Sequence, residues 1–395
     1  MTLYLSSEEA AARLGVSRQT LYAYVSRGLL MAETIEGQRE SRYLASDIEQ
    51  LASERRRGRK PKEVAKATLN WGLPVLESAI TLIADGHLYY RGRDAIALAE
   101  TGDLEALAAH LWQCSEADAF GTAAPVLPAA IAAARTSLAH QPIEQALLPL
   151  FTLASSDDDT AIWQNAPDRQ AAGSAALLRL MTACLLGTMP DRSPVHQQCA
   201  AAWGLDMTGA DLLRRALILC ADHELNASSF TARCVASTGA SLRAAVIGGL
   251  AALTGPRHGG MTARVEAFWD EIGDDAKSSD RLRQRLARGD KLPGFGHHLY
   301  PAGDVRAADL LQVVLPQRPS WQRLIALASD LTGQHPSLDV ALVAVRRHLR
   351  LPVGSAFGLF ALGRTVGWIA HALEQRNNDD VIRPRAAYVG PAPSI

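Results

Sequence analysis

Apolar residues recur at helical spacing through most of the chain beyond residue 67. One stripe consists of Leu104, Leu107, Ala108, Leu111 and Trp112. A second stripe consists of Trp321, Leu324, Ile325, Ala328 and Leu331, and Ser320 just before it is the expected N-cap. Strand-like alternation is sparse, and its best example is residues 87–91. This pattern predicts a mainly α-helical domain.

The first sixty residues differ, because there two short helices are separated by a glycine. Ser6 precedes two acidic residues, and Gly15 ends the first helical pattern. Its apolar face consists of Ala10, Ala11 and Leu14. Ser17 can cap a second helix from Arg18 to about Ser26, which Gly28 ends. Two short helices joined by a glycine turn are typical of a helix-turn-helix module.

In such modules the second helix presents polar and basic side chains to the DNA major groove, and the candidates here are Arg18, Gln19 and Tyr22. The stretch resembles the N-terminal module of the MerR and excisionase families. The resemblance rests on residues 10–17, 20–22, 28–30, 41–43 and 47–51. It implies a small winged domain in which Arg42 and Tyr43 lie in a wing that contacts the DNA backbone. The alternative is an inherited module that now serves dimer contacts or regulation.

Charge divides the chain near Lys62. Up to that residue there are eleven Lys and Arg against eight Asp and Glu, although the whole chain has a formal net charge of −1. Most of the excess lies in residues 55–62, and such a run is typical of a solvated linker that can also contact phosphate. The predicted organisation is a helix-turn-helix domain at 1–54, a basic linker at 55–66 and a large helical domain at 67–395.

Length and composition exclude several functional classes. At 395 residues the chain is long enough for two or more hydrophobic cores and an enclosed site. Its apolar runs stay short of the roughly 20 residues that span a bilayer. Its first residues lack the pattern of a secretory signal, so we expect a cytoplasmic protein without a membrane role. The five cysteines are scattered without a CxxC pair, which favours reduced, buried thiols over a zinc or redox site.

Polar segments that interrupt the apolar helices are the candidates for chemistry. His223 lies within residues 221–228, directly after an apolar helix, and taken alone it is interpreted as a hydrogen-bonded core histidine. His258 lies in the glycine-rich run 255–260, where the backbone can approach a ligand closely. The second segment is the harder of the two to explain by structure alone.

A third segment ends a glycine turn with His297 and His298, and Arg306 lies nine residues beyond His297. Adjacent histidines in a loop lack the usual spacing of metal ligands, so no metal site is predicted. The sequence also has no GxGxxG or GxxxxGK[ST] motif to hold a nucleotide phosphate.

Arg364 is a fourth candidate. On a predicted helix from about Ala356 to Gln375 it shares a face with apolar side chains, including Phe360 and Trp368. A buried guanidinium needs an anionic partner. An internal salt bridge and a bound carboxylate are the two alternatives.

Taken in order, these segments resemble the citrate synthase family, including its 2-methylcitrate synthase members, over nearly the whole chain after Ala67. Further matching segments are residues 88–92, 230–233, 304–307, 363–371, 383–385 and 388–390. The resemblance implies a helical fold with a large subdomain and a small subdomain at roughly 260–368. Closure of the small subdomain would exclude water from the site.

The resemblance also implies roles for individual residues. His258 would donate a hydrogen bond to the thioester oxygen of an acyl-CoA, Asp339 would remove the adjacent proton, and His297 would polarise the ketone of oxaloacetate. The matching oxaloacetate-binding positions are His223, Arg306, Arg364 and Arg383. Arg383 is expected to come from the other subunit of a homodimer.

For the CoA phosphates the sequence offers only Arg288 and Lys291, and no metal or other cofactor is expected. Two departures from the family leave the acyl preference open. Val340, Ala341 and Leu342 stand where an aromatic-rich continuation is common, and His298 stands where arginine is common.

Two functional hypotheses follow. The leading one is a synthase that condenses acetyl-CoA or propionyl-CoA with oxaloacetate to give citrate or 2-methylcitrate, with its N-terminal module coupling it to duplex DNA or to regulation. The rival is a DNA-binding transcriptional regulator that uses a synthase-like domain as a metabolite sensor. Intact His258, His297 and Asp339 favour the enzyme, whereas the fused helix-turn-helix favours the sensor.

Overall fold

The structure is a computed structural model, which describes residues 4–14, 16–26, 30, 32–34, 41–45, 47–48, 51, 76–378, 380–386 and 388–391. The predicted boundaries at 54 and 66, the basic run 55–62 and the two glycines Gly15 and Gly28 lie outside these residues. The chain forms two compact units, one of Met1–Glu77 with Arg385–Ile395 and one of Ser78–Pro384.

The N-terminal unit contains the two predicted helices, α1 (Ser7–Leu14) and α2 (Arg18–Ser26). Ser6 and Glu9 form reciprocal hydrogen bonds at the start of α1, and the Ser17 hydroxyl accepts from the Thr20 amide at the start of α2. The strands are β1 (Tyr4–Leu5), β2 (Ala32–Thr34) and β3 (Ser41–Leu44). They form an antiparallel sheet in the order β1-β3-β2. The helix-turn-helix prediction is confirmed.

Tyr43 does not lie where the sequence predicted. Its side chain is only 1% exposed and belongs to the small core of this unit, together with Leu21 and Ile48. Successive residues of a strand point to opposite faces, so Arg42 is half-buried on β3 opposite Glu33 of β2 while Tyr43 points inward. The predicted contact between Tyr43 and the DNA backbone is therefore wrong, whereas the predicted contact of Arg42 stays a prediction.

The larger unit begins with a small antiparallel sheet of three strands, β4 (Thr81–Ala84), β5 (His87–Tyr90) and β6 (Arg93–Asp94). The strand-like segment predicted at 87–91 is β5. Tyr90 ends this strand with a fully buried side chain whose hydroxyl reaches the backbone carbonyls of Ile218 and Asp222.

The remainder of the described larger unit is helical. Its first eight helices are α3 (Ala95–Thr101), α4 (Leu104–Trp112), α5 (Glu116–Phe120), α6 (Ala130–Leu138), α7 (Ile143–Ala154), α8 (Pro167–Leu186), α9 (Val195–Trp203) and α10 (Met207–Cys220). The next eight are α11 (Ala227–Ala236), α12 (Leu242–Leu253), α13 (Met261–Ile272), α14 (Ser278–Ala287), α15 (Val305–Val314), α16 (Pro319–Thr332), α17 (Leu338–His348) and α18 (Ser355–Arg376). Short 3-10 turns occur at Asp158–Thr160 and Leu315–Gln317.

Both predicted apolar stripes lie on helices. The stripe from Leu104 to Trp112 is wholly buried on α4. On α16 the stripe is buried except for Leu331, which is 46% exposed in the last turn, because periodicity does not reveal where the neighbouring surface ends. Ser320 is not the N-cap, since α16 already begins at Pro319, and proline is favoured at the first helical position.

The long helix α18 forms the centre of the larger unit and packs against α10, α11, α12 and α8. It is the one described helix long and apolar enough to cross a membrane, but 94% of its most apolar window is buried by the rest of the protein. Gly367 permits close packing here, because a Cβ at this position would lie 2.3 Å from the carbonyl oxygen of Ala221. The helix continues through residue 368 without a break, and the small subdomain at 260–368 stays a prediction.

Candidate active site

The turn between α10 and α11 presents His223. Asn226 caps α11 by accepting from the amides of Ser228 and Ser229, and its amide nitrogen donates to the carbonyl oxygens of His223 and Glu224. Glu224 takes the left-handed conformation, with φ of 51°. The capping asparagine therefore fixes both the start of α11 and the backbone that carries His223.

Asp222 anchors the same turn from inside. Its carboxylate accepts from the Thr81 hydroxyl at 2.6 Å, from the Ser229 hydroxyl at 3.3 Å and from Nε2 of His371 at 3.2 Å. Burial alone would raise the pKa of Asp222, but His371 and these hydrogen bonds hold that pKa below its usual value. The turn is thus tied to β4, α11 and α18 at once.

His258 lies in the turn after α12 and reaches back to α11. Its Nε2 lies 2.8 Å from the Ser228 hydroxyl, and its ring meets the Phe360 ring edge-on at 5.9 Å. Burial, with a smaller effect of Arg364, lowers the pKa of His258 to about 3, so the ring is neutral at physiological pH.

The glycines beside His258 have a structural reason that the sequence did not reveal. A Cβ on Gly259 would lie 2.6 Å from the Leu253 side chain, and one on Gly260 would lie 2.6 Å from the carbonyl oxygen of Thr254. Both positions need glycine because the turn folds back tightly on the end of α12. Close approach to a ligand is therefore not required to explain them.

His223, His297 and Tyr300 form a cluster of rings. The centroids of the two histidines are 5.1 Å apart in a perpendicular arrangement, and Tyr300 lies 5.5 Å from His223 and 5.2 Å from His297. Burial and the charge of Arg306 lower the pKa of His297 to about 4 and that of His223 well below 6.5. Both rings are therefore neutral at physiological pH.

Arg306, 3% exposed, lies in the first turn of α15 and is held by Asp304. Its Nε and Nη2 donate to the two carboxylate oxygens at 2.9 and 2.8 Å, and its guanidinium lies over the Tyr300 ring at 5.5 Å. Burial opposes the charge of Arg306, but Asp304 outweighs it and raises the pKa of the guanidinium. Asp304 also accepts from the Leu338 amide at 3.0 Å, which links α15 to the start of α17.

Arg364 is 1% exposed on α18 and is held differently. Its Nε donates to the Cys220 carbonyl at 2.8 Å, and its guanidinium lies 5.0 Å from the centre of the Phe360 ring. Among the described residues it forms no salt bridge, and its buried Nη2 has no hydrogen-bond partner. Burial lowers the pKa of Arg364. Of the two alternatives raised by the sequence, the internal salt bridge is not formed within the described part of the chain.

Asp339 is the second residue of α17 and is partly buried. One carboxylate oxygen accepts from the Ser337 hydroxyl at 3.2 Å, and the other, Oδ1, is buried without a partner among the described residues. Burial raises the pKa of Asp339 to about 6. A carboxylate of this kind is suited to take up a proton near neutral pH.

The remaining predicted residues lie apart from this cluster. Arg288 and Lys291 are exposed at the end of α14, where Arg288 already pairs with Glu271 and Asp290. Arg383 is exposed in the extended segment after α18. Their roles stay predictions.

On α2, Gln19 is exposed, Tyr22 is 51% exposed, and Arg18 pairs with Glu8 at 2.7 Å on the surface. No group of three or more His, Cys, Asp or Glu side chains in the described ranges could hold a metal ion.

Sequence reasoning missed the residues that hold the site together. They are Asp222, Ser228, Tyr300, Asp304 and His371. Local spacing could have suggested two of them, because Asp304 precedes Arg306 as an N-cap and Tyr300 follows His297 on the same loop. The partners of Asp222 and His371 come together only in the folded chain.

A separate surface cavity of about 580 Å³ lies between α5 and the start of α8, lined in part by Asp118, Asp159 and Arg169. None of the predicted site residues in the described chain lines it. The clustered side chains, and not this cavity, therefore define the candidate active site.

Comparison with known proteins matches both parts of the chain to known families. Residues 68–385 match the family model "Citrate synthase, C-terminal domain", and residues 4–56 match "Helix-turn-helix domain". Citrate synthase 2 of Bacillus subtilis is 35% identical over 190 residues, which cover 46% of this chain and 51% of that protein. The 2-methylcitrate synthase of Mycobacterium tuberculosis is 36% identical over 185 residues, covering 45% of this chain and 47% of that protein. The matches thus span about half the length of these relatives.

Among solved structures, the ternary complex of Thermoplasma acidophilum citrate synthase with carboxymethyl coenzyme A and oxaloacetate has the same fold. Its TM-score is 0.70 at 24% identity, and the match covers 82% of this chain and 95% of that chain. The larger unit, with its small sheet and central helix α18, thus has the citrate synthase fold. The chain belongs to the citrate synthase family and carries an additional helix-turn-helix domain at its N-terminus.

Proposed function

We propose that this protein condenses an acyl-CoA, acetyl-CoA or propionyl-CoA, with oxaloacetate and releases CoA. The observation that carries the proposal is a pair of buried, unpartnered atoms within the described site. Nη2 of Arg364 lacks an acceptor and Oδ1 of Asp339 lacks a donor. Unpartnered buried polar groups are costly, and a substrate carboxylate and a substrate proton would satisfy them.

Oxaloacetate is a dianion with a ketone, and the cluster has the groups to bind one. Arg364 offers its free nitrogen to a carboxylate. Arg306 uses Nε and Nη2 for Asp304, which leaves Nη1 for the ligand. A second copy of the chain would add Arg383, which is exposed here, and we propose a homodimer on this ground.

The ketone would be polarised by His297. The Leu299 amide donates to Nδ1 of this ring at 3.2 Å, so Nδ1 is an acceptor and the neutral ring carries its hydrogen on Nε2. With its pKa lowered to about 4, His297 remains neutral and donates this hydrogen bond to the ketone oxygen. It can then give up the proton as the carbon–carbon bond forms.

Asp339 and His258 would activate the acyl-CoA together. A thioester α-proton is too weakly acidic for a carboxylate unless an oriented donor stabilises the developing oxyanion. Asp339, with a pKa of about 6, takes the proton, and neutral His258 donates to the thioester oxygen. The enol formed attacks the oxaloacetate carbonyl, and hydrolysis of the resulting CoA ester gives citrate or 2-methylcitrate.

Ser228 controls which nitrogen of His258 can donate. Its hydroxyl donates to Oδ1 of Asn226 at 2.8 Å and also lies 2.8 Å from Nε2 of His258, and its one hydrogen can turn to only one of these two acceptors. When that hydrogen goes to Nε2, the ring carries its own hydrogen on Nδ1 and can donate it to the thioester. Asn226 Oδ1 is still satisfied, because it accepts from two backbone amides.

The test is release of free CoA thiol from purified protein supplied with acetyl-CoA or propionyl-CoA, with and without oxaloacetate. Oxaloacetate-dependent release supports the proposal and ranks the two acyl-CoA substrates. Folded protein that binds oxaloacetate but releases no thiol from either ester would overturn it in favour of a metabolite sensor.

A second candidate function, binding of duplex DNA, is favoured by the exposed side chains of α2. Arg18, Gln19 and Tyr22 present basic and polar groups on the second helix of a helix-turn-helix fold. Both functions would be exercised in the cytoplasm. Full-length protein should bind duplex DNA with an affinity that falls as salt rises. Arg18→Ala combined with Gln19→Ala should weaken binding, whereas the exposed Arg169→Ala in the larger unit should not; DNA binding that is absent even at low salt rejects this function.

A further inference from the structure

We infer that Tyr300 is a positioning residue of the oxaloacetate pocket, acting through His223, His297 and Arg306. The inference rests on the proposed function, since it concerns how the same site holds its first substrate. The side chain of Tyr300 is buried at 2% exposure, and its backbone amide donates to the His297 carbonyl at 3.0 Å, so its backbone is held against the residue that carries the His297 ring.

The hydroxyl end of Tyr300 engages His223. The phenolic oxygen lies 3.3 Å from Nε2 of that ring. Burial raises the pKa of Tyr300 to about 12, so the hydroxyl keeps its hydrogen at neutral pH. A neutral phenol against a neutral imidazole makes one hydrogen bond, which assigns the Nε2 edge of His223 to the protein and restricts rotation of the ring.

The ring of Tyr300 engages the two other groups. The His297 centroid lies 5.2 Å away in a tilted arrangement, and the Arg306 guanidinium lies 5.5 Å from the ring centre. A cation over an aromatic face is attracted by the ring quadrupole, and this effect is larger where water is excluded. One side chain thus contacts two predicted oxaloacetate-binding residues, His223 and Arg306, and the histidine predicted to polarise the ketone, His297. Its hydroxyl and its ring contact different members of this set.

Substitutions can separate the contribution of the Tyr300 hydroxyl from that of its ring. Tyr300→Phe removes only the hydroxyl, and we expect it to raise the oxaloacetate Kd about fivefold, as for loss of one hydrogen bond, with the acyl-CoA KM unchanged. Tyr300→Leu also removes the ring, so Kd should rise further and kcat should fall. The matched control is Tyr89→Phe, which removes a hydroxyl from a partly buried tyrosine on β5 outside the cluster.

A double-mutant cycle decides whether Tyr300 acts through His223. In a His223→Phe background, which keeps a ring without hydrogen-bonding groups, the effect of Tyr300→Phe on oxaloacetate Kd should disappear to within about twofold. Wild-type affinity in Tyr300→Phe, or an undiminished effect in the His223→Phe background, would overturn the inference.

For each variant, oxaloacetate binding is measured by calorimetry and turnover by release of CoA thiol. The synthase activity and the positioning role of Tyr300 can therefore be contradicted separately. Oxaloacetate binding without turnover in the wild type contradicts the synthase alone. If the wild type is active and Tyr300→Phe keeps wild-type oxaloacetate affinity, the positioning role alone is contradicted. A wild type that does not bind oxaloacetate contradicts both proposals.

Discussion

The two ends of the candidate site are built differently. At the proposed dicarboxylate-binding end, the Arg306 guanidinium donates two hydrogen bonds to Asp304, and the Tyr300 hydroxyl lies 3.3 Å from Nε2 of His223. At the proposed proton-transfer end, Asp339 has a single side-chain partner, Ser337, and one of its carboxylate oxygens has no partner within the described site. Arg306 and His223 are therefore positioned by other side chains of the protein. The Asp339 carboxylate, like Nη2 of Arg364, instead keeps an unpaired atom within the described site, and burial has raised the pKa of this carboxylate toward neutrality.

The largest expected effect separates the two ends. Asp339→Asn should lower kcat by about a thousandfold or more, because the proton acceptor is lost, while oxaloacetate affinity changes less than about twofold. Steady-state turnover and calorimetry measure the two quantities. Asp330→Asn, which changes an exposed carboxylate on α16, is the control and should leave both intact. Substantial turnover by the Asp339 variant would remove this residue from the base role.

Asp339→Asn should also change the pH dependence of stability. Burial raises the pKa of Asp339 from its usual value near 3.8 to about 6, so the folded protein binds the proton more tightly than the unfolded chain. This preference for the proton stabilises the folded protein below the pKa that Asp339 has in the unfolded chain, and the stabilisation is lost as pH rises through about 6. The variant should therefore be more stable than wild type above pH 6 in denaturant titrations, with the difference vanishing toward acid pH.

The next largest effect compares the two buried arginines. Arg364→Met should weaken oxaloacetate binding by about 30- to 100-fold, the effect of losing a charged hydrogen bond. It should cost less stability than loss of Arg306, since the Arg364 guanidinium donates to the neutral Cys220 carbonyl and forms no salt bridge among the described residues. Arg306→Met should instead destabilise the protein by about 3–5 kcal/mol, because Asp304 is left buried and unpaired. Denaturant unfolding measures the contrast, and equal destabilisation by both would refute it.

A smaller effect concerns pH. Since Asp339 must be ionised to accept a proton, activity should fall about tenfold per pH unit below its pKa near 6. His258 and His297 stay neutral above about pH 4, so they add no transition between pH 5 and 8. A pH–rate profile of kcat tests this, and a flat profile down to pH 5 would contradict the raised pKa.

The smallest expected effect comes from Ser228→Ala, which leaves both ends intact but no longer selects the His258 tautomer. Turnover should fall about fivefold with oxaloacetate affinity unchanged, as for one hydrogen bond. Thr231→Val is the control, because the Thr231 hydroxyl donates to the Ala227 carbonyl of its own helix. Equal effects of the two substitutions would argue against control of the tautomer.

Local patterns predicted the elements that depend on local physics. The bounds of α2 follow from the Ser17 cap, and α18 follows from apolar periodicity that also indicated a buried Arg364. Ser320 failed as a cap because Pro319 is a better first residue for the helix. Tyr43 failed because a strand of four residues gives too little alternation to decide which face is buried.

The contacts that complete the site could not be predicted from local sequence patterns, because their partners are far apart along the chain. Asp222 meets Thr81 and His371, which lie 141 and 149 residues away along the chain. Periodicity reports which face of an element is buried but not which distant side chain it will meet. The resemblance to a family supplied candidate ligands, and only the folded chain identified the residues that hold those ligands.

The carboxylate of Asp304 forms hydrogen bonds to two helices, α15 and α17. It caps α15 through the Arg306 amide, holds the Arg306 guanidinium and accepts the amide of Leu338, the residue before Asp339. The proposed anion-binding group and the proposed base therefore depend on one buried carboxylate, and a change at Asp304 would reach both at once. His258 is held elsewhere, by Ser228 on α11, and its position does not depend on that carboxylate.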